Sequence, residues 1–303
     1  MYFLLAVYCL LIVGASLAGG WLPSLIKLTH TRMQILMSLV GGLMLGIGVF
    51  HMFPHAVLEL GPTQIDRAAW WMMCGLVTMF FLLRTFHFHQ HDHDLEPEFP
   101  AARHPGHDHD HDHSHDHDHH QTPPSDVHHL SWVGVFTGLA IHTLIDGMAL
   151  GASMQSDARH VGAGWLIGLG TFLAIVLHKP LDAVSITSLM AAGGWTKSAR
   201  LSVNATFSLM CPLGAAMFVL GVDHLSAAEH VVIGCALAFS AGVFLCIALS
   251  DLLPEMEFHS HNRLQLSLAL LLGLAIAYGI HYLEPEHVHQ HVLDARRQIE
   301  VQP

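Results

Sequence analysis

The chain has 303 residues, 52% of them hydrophobic and only 12% charged, and its mean hydropathy is +0.46. Soluble domains carry about 25% charged residues, so this composition excludes an ordinary cytosolic enzyme and indicates a polytopic membrane protein. The formal charge of −12, from 24 acids against 12 bases, excludes nucleic acid as a partner.

Apolar segments long enough to cross a bilayer recur eight times, at 2–22, 33–55, 68–86, 132–154, 165–190, 201–221, 231–252 and 264–282. Backbone polar groups in lipid must be satisfied within their own segment, so the expected fold is an all-α integral membrane protein of eight transmembrane helices. The first segment is a span rather than a signal peptide, because its bases, Lys27 and Arg32, follow the apolar run instead of preceding it. The cysteines Cys9, Cys74, Cys211, Cys235 and Cys246 lie inside apolar runs without CxxC spacing and read as small buried residues.

Residues 1–86 thus hold spans 1–3, and 131–303 hold spans 4–8 with a short C-terminal tail. Between them, 87–130 is of different composition: fifteen of the 29 histidines fall between His87 and His129, most in the His-Asp alternation from His107 to His120. With almost nothing apolar to bury, this loop is expected to be disordered without a ligand. It reads either as a solvated acidic linker or as a low-specificity buffer for zinc, copper or nickel.

With the N-terminus outside, Lys27, Arg32, Arg84, Arg103, Lys197, Arg200 and Arg263 fall on the inner side, and Arg67, Arg159, Arg296 and Arg297 on the outer. The positive-inside rule then puts both termini outside an inner cell membrane and the histidine-rich loop in the cytoplasm. An internal repeat accompanies this topology. Gly41-Gly42-Leu43-Met44-Leu45 in span 2 matches Ala241-Gly242-Val243-Phe244-Leu245 in span 7, and His51-Met52-Phe53-Pro54-His55 matches Asp251-Leu252-Leu253-Pro254-Glu255, at a constant offset of 200. The two spans cross in opposite directions, as in the inverted repeats of many transporters.

The chemistry lies in polar residues at mid-membrane. Span 4 carries His142 and Asp146, and span 5 carries His178 and Asp182, each pair at i and i+4 on one helix face. Asp146, Lys179 and Asp182 would each cost ~2.5–3.5 kcal/mol facing lipid, so they must face inward and find partners. Two such helices facing one another make a four-ligand N/O cage acceptable to Zn2+, Fe2+, Mn2+, Cd2+ or Co2+; the alternative is a metal-free interhelical hydrogen-bond network. Pro180 removes an amide and frees the carbonyl of Val176, either for the pathway or as an ordinary membrane-helix kink. Met44, near the same depth, is either a fifth, soft ligand or core packing. His51 and His55 end span 2 on the outer side, and Asp251 and Glu255 end span 7 on the inner side. They suit an entrance and an exit, or are simply polar helix ends.

Taken together, these features resemble the ZIP family of zinc and iron transporters, of bacterial type. The family's typical span 4 and span 5 motifs are His-Asn-x-x-Glu-Gly and His-Glu-x-x-His-Glu. Here they read His142-Thr143-x-x-Asp146-Gly147 and His178-Lys179-Pro180-x-Asp182. Asn204 with Pro212-Leu213-Gly214-Ala215 resembles the family's span 6, and Ala241-Gly242 with Asp251 to Glu255 its span 7. The resemblance implies a homodimeric transporter, not an enzyme, that moves a divalent metal, zinc foremost, into the cytosol. It implies inverted repeats of spans 1–3 and 6–8 around spans 4 and 5, His142, Asp146, His178 and Asp182 as primary-site ligands, and Met44 at a position that ligates in some members. The departures are Lys179 where two-metal members carry a ligand, Thr143 where Asn is usual, and Asp for Glu at both carboxylate positions. On this basis the Lys179 ammonium takes the place of a second metal and pairs with Asp146 or Asp182. A metal exporter, a nickel/cobalt permease and a membrane metalloenzyme with histidine boxes are the alternatives.

Overall fold

The computed structural model describes residues 1–25, 30–87, 127–160, 166–224, 228–258 and 263–283, and these are almost wholly helical, with no strand among them. The helices are α1 (Tyr2–Leu25), α2 (His30–Ile47), α3 (Phe53–Leu60), α4 (Ile65–His87), α5 (Val127–His160), α6 (Leu169–Ala192), α7 (Lys197–Ser208), α8 (Met210–Asp223), α9 (Glu229–Phe258) and α10 (Arg263–Leu283). They make eight spans long and apolar enough to cross a membrane, with α2 and α3 joined in one and α7 and α8 in another.

Both composite spans are explained by proline. Pro54 has no amide to continue the ladder from α2. A π turn, Gly48–Met52, takes up the break, with the Phe53 amide donating to the Gly48 carbonyl, and Pro54 falls in the first turn of α3. The span therefore runs on from Thr31 to Leu60, past its expected end at residue 55. Likewise Pro212 has no amide to donate to Ser208, and the chain breaks at Leu209 between α7 and α8. By contrast, α6 runs continuously through Pro180. The expected histidine-rich loop lies, for 88–126, outside the described residues.

Large apolar side chains point outward: Phe3, Leu10, Trp70 and Leu264 are all more than two-thirds exposed, while His142, Asp146 and Lys179 are buried. This inversion is what a bilayer demands, since lipid accepts alkyl surface and rejects charge. Lys179 is among the largest fully buried side chains in the molecule.

The spans pack in a reciprocal pattern: α2 against α10, α4 against α9, α5 against α8, and α1 against α6, with α2 and α3 crossing α9 at the centre. Helices in lipid gain little from apolar association and rely on close backbone approach at small residues. A Cβ at Gly42 would meet the Leu270 backbone and one at Gly273 the Leu39 backbone; one at Gly242 would meet Met72 and one at Gly75 the Phe239 backbone. Gly42 and Gly242, and Leu39 and Phe239, are related by the same 200-residue offset as the sequence repeat. A Cβ at Gly214 would meet Leu144, two residues after His142, and one at Gly19 would meet Pro180, two residues after His178.

Candidate metal centre

His142 and Asp146 lie one turn apart on α5, and His178, Lys179 and Asp182 occupy little more than one turn of α6. The two helices pack together so that these side chains converge. The Nε2 atom of His142 is 3.4 Å from Asp146 Oδ2 and 3.9 Å from Asp182 Oδ2. The Nε2 atom of His178 is 3.2 Å from Asp146 Oδ2 and 3.9 Å from Asp182 Oδ2. The imidazoles stack, with centroids 5.4 Å apart, and the edge of Phe244 from α9 meets His178. One ligand atom each from His142, His178 and Asp182 lies within 4.8 Å of the others, close enough for a single ion.

The His178 ring is held by its own helix. Its Nδ1 donates to the Ala174 carbonyl at 2.7 Å, so in the neutral ring Nε2 keeps the lone pair that a metal would take; without metal, Nε2 faces Asp146 Oδ2 at 3.2 Å. Fixing the tautomer in this way is what metal-binding histidines require of their surroundings.

Lys179 sits among these atoms. Its Nζ donates to Asp146 Oδ2 at 2.6 Å and to Asp182 Oδ2 at 3.0 Å, and stands 3.4 Å from His178 Nε2 and 5.7 Å from the Phe207 ring centroid. The sequence suggested pairing with one aspartate or the other; the ammonium bridges both. With neutral imidazoles the cluster carries two negative charges and one positive, an arrangement that a dication would convert from net −1 to net +1.

Met44 is buried in the main hydrophobic core. Asp251 and Glu255 fall in the last turns of α9, and their side chains lie outside the described residues.

His51 and His55 are not polar residues at an exposed helix end. His51 lies in the π turn and His55 in the first turn of α3, both buried, with ring centroids 4.6 Å apart. They meet Asp157, near the end of α5, whose Oδ1 is 3.1 Å from His55 Nδ1. Its Oδ2 accepts the Gly168 amide at 2.7 Å, at the start of α6, where Gly168 adopts φ +70°. His51, His55 and Asp157 form a second group whose ligand atoms lie within 4.8 Å of one another. Above it, Arg159 forms an ion pair with Glu229 of α9 and approaches buried Glu59 of α3 at 4.0 Å.

Sequence reasoning missed Asp157. The available signal was helical: Asp146, Ser153 and Asp157 are spaced i, i+7, i+11 and continue one face of α5. On α6, Thr171 precedes His178 by seven residues and shares its face. Ser153 and Thr171 are both buried, at positions along these two helices between the clusters. At 1.5 Å per residue, Asp157 stands about 16 Å along the helix from Asp146.

Fold and site together define a multi-pass helical membrane protein with a buried, charge-bearing N/O cluster between two central helices. A family model described as ZIP zinc transporter matches residues 3–281, and the chain belongs to that family. Among similar proteins, zinc transporter ZIP9 of Macaca fascicularis is 32% identical over 154 residues, 46% of this chain and 63% of that protein. Zinc transporter ZIP9-B of Xenopus laevis is 31% identical over 150 residues, 48% of this chain and 45% of that protein. Zinc transporter 3 of Arabidopsis thaliana is 25% identical over 151 residues, 46% of this chain and 41% of that protein. The alignments span about half of this chain and roughly half of each relative.

Proposed function

We propose that this chain carries divalent transition metal, zinc foremost, across the membrane and into the cytoplasm, binding it between α5 and α6 through His142, Asp146, His178 and Asp182. The observation that carries the reading is the convergence of two imidazole nitrogens and two carboxylates at mid-span, with one tautomer fixed by the Ala174 carbonyl. The naming of similar proteins as zinc transporters supports zinc over the other ions this ligand set accepts. Fe2+, Mn2+, Cd2+ and Co2+ remain chemically acceptable cargo.

In this reading the ammonium of Lys179 stands in for a second metal and balances the aspartates in the unloaded protein. Met44 would add a soft fifth ligand. His51 and His55 serve the outer entrance and Asp251 and Glu255 the inner exit, with the histidine-rich loop a cytoplasmic metal buffer and both termini outside. Spans 1–3 and 6–8 act as inverted repeats around α5 and α6 in each protomer of a homodimer. The reciprocal packing of α2 on α10 and α4 on α9, and of α1 on α6 and α5 on α8, supports the repeat.

The test is reconstitution in liposomes with zinc, iron, manganese, cadmium and nickel offered from either side, with and without a pH gradient. Zinc uptake from the side opposite the histidine-rich loop is expected. Flux only in the reverse direction would favour an exporter, nickel-selective flux a permease, and turnover of lipid without flux a membrane metalloenzyme.

A further inference from the structure

We propose that His51, His55 and Asp157 form a second, discrete divalent-metal site, which captures cargo before it reaches the α5–α6 cluster. The proposal rests on the transport reading above for its role in sequence, but not for the existence of the site.

Three features make the cluster a site rather than an interhelical contact. The first is its composition: two imidazoles and one carboxylate, all at least 95% buried, with ligand atoms within 4.8 Å of one another. A hydrogen bond between α3 and α5 needs only His55 and Asp157. The second imidazole, 4.6 Å away and tilted by 38° on the π turn, brings another ligand nitrogen into the same group. π turns inside α-helices are frequent at functional sites. Second, Asp157 is oriented. The Gly168 amide fixes Oδ2 at 2.7 Å and leaves Oδ1 toward the histidines, the outer-shell support that metal-binding carboxylates have. Third, the ligand count is three. On a tetrahedral ion such as zinc, three protein ligands leave a fourth position for water or an incoming ligand, whereas structural sites are closed with four protein ligands.

The position suits capture. The cluster lies about 16 Å along α5 from Asp146, with buried Ser153 and Thr171 on the facing helices between them. The first turn of α6 passes close over His51 with no side chain at Gly170, where a Cβ would stand 3.4 Å from the ring. The same helix then carries His178 and Asp182, so one element links the two clusters.

Cadmium is the probe, because its anomalous scattering locates each bound ion in crystals of the full chain. The parent is expected to show one peak among His51, His55 and Asp157, separate from that between α5 and α6. Asp157→Asn and His51→Gln should each lose the first peak and keep the second; His51→Gln leaves the Asp157 anchor on Gly168 in place and guards against misfolding. In proteoliposomes both variants should raise the half-saturating zinc concentration at least tenfold, with the maximal rate within twofold of the parent. A parent map with the inner peak but none at His51, or variants with unchanged half-saturation, would overturn the proposal. A parent that binds cadmium at His51 yet moves no metal would instead overturn the transport reading and leave the site standing.

Discussion

Lys179 donates to Asp146 across the seam between α5 and α6 at 2.6 Å, and both side chains are fully buried. The same ammonium reaches Asp182, so one cation compensates two carboxylates in a region where an unpaired charge is expensive. Removing it should therefore cost far more than a surface ion pair would. Lys179→Met is expected to destabilise the metal-free protein by about 3–5 kcal/mol, and saturating zinc should restore most of that loss by supplying the missing charge. Thermal melting in detergent with and without zinc checks both halves. A Lys179→Met protein as stable as the parent without metal would show that the aspartates do not depend on this ammonium.

Charge reversal at the same position tests the idea that the lysine occupies a metal's place. Two unit charges ~4 Å apart interact by ~4 kcal/mol at an effective dielectric of 20, and a dication doubles this. Lys179 should hold the centre to one metal, and Lys179→Asp should admit a second between α5 and α6. Anomalous scattering from cadmium-soaked crystals counts the ions. Two ions there in the parent, or no gain in Lys179→Asp, would refute the substitution.

The helix crossings give a prediction about stability alone. A Cβ at Gly242 would run into the backbone of α4 at Met72, whereas one at Gly14 meets nothing. Gly242→Ala should thus cost about 1–3 kcal/mol through overpacking, and Gly14→Ala should be neutral or stabilising by up to ~1 kcal/mol through helix propensity. Melting temperatures of the two variants decide it, and equal values would contradict the close crossing.

The histidine-rich loop separates α4 from α5 in sequence, and none of the described residues of either cluster comes from it. Deleting 104–121 should leave the initial transport rate within a few-fold of the parent while reducing the number of weakly bound metals. Equilibrium dialysis and initial-rate measurements on the same preparations test this. Complete loss of flux at normal expression would mean that the loop belongs to the pathway.

The eight spans were legible because hydrocarbon thickness imposes a minimum apolar length, a signal carried by every residue of a span. The end of the second was not. A π turn carries the helix past Pro54, and beyond the expected end Arg159 from α5 approaches Glu59. The pairs His142 with Asp146 and His178 with Asp182 were legible because each lies within a single helix, where i,i+4 spacing fixes a shared face. Asp157 escaped notice because its partner His55 comes from a different span, and no local spacing links them. That Lys179 bridges both aspartates, rather than choosing one, depends on how closely α5 and α6 approach, which is a property of packing and not of either motif.

The claim at the centre of this account is that metal crosses through the cluster between α5 and α6. The most direct measurement is zinc flux into proteoliposomes containing equal amounts of folded parent, His178→Ala or Asp182→Ala protein. Rapid, saturable uptake by the parent and background flux for both variants is the predicted result. Parent-like flux in either well-folded variant would show that the metal takes another path.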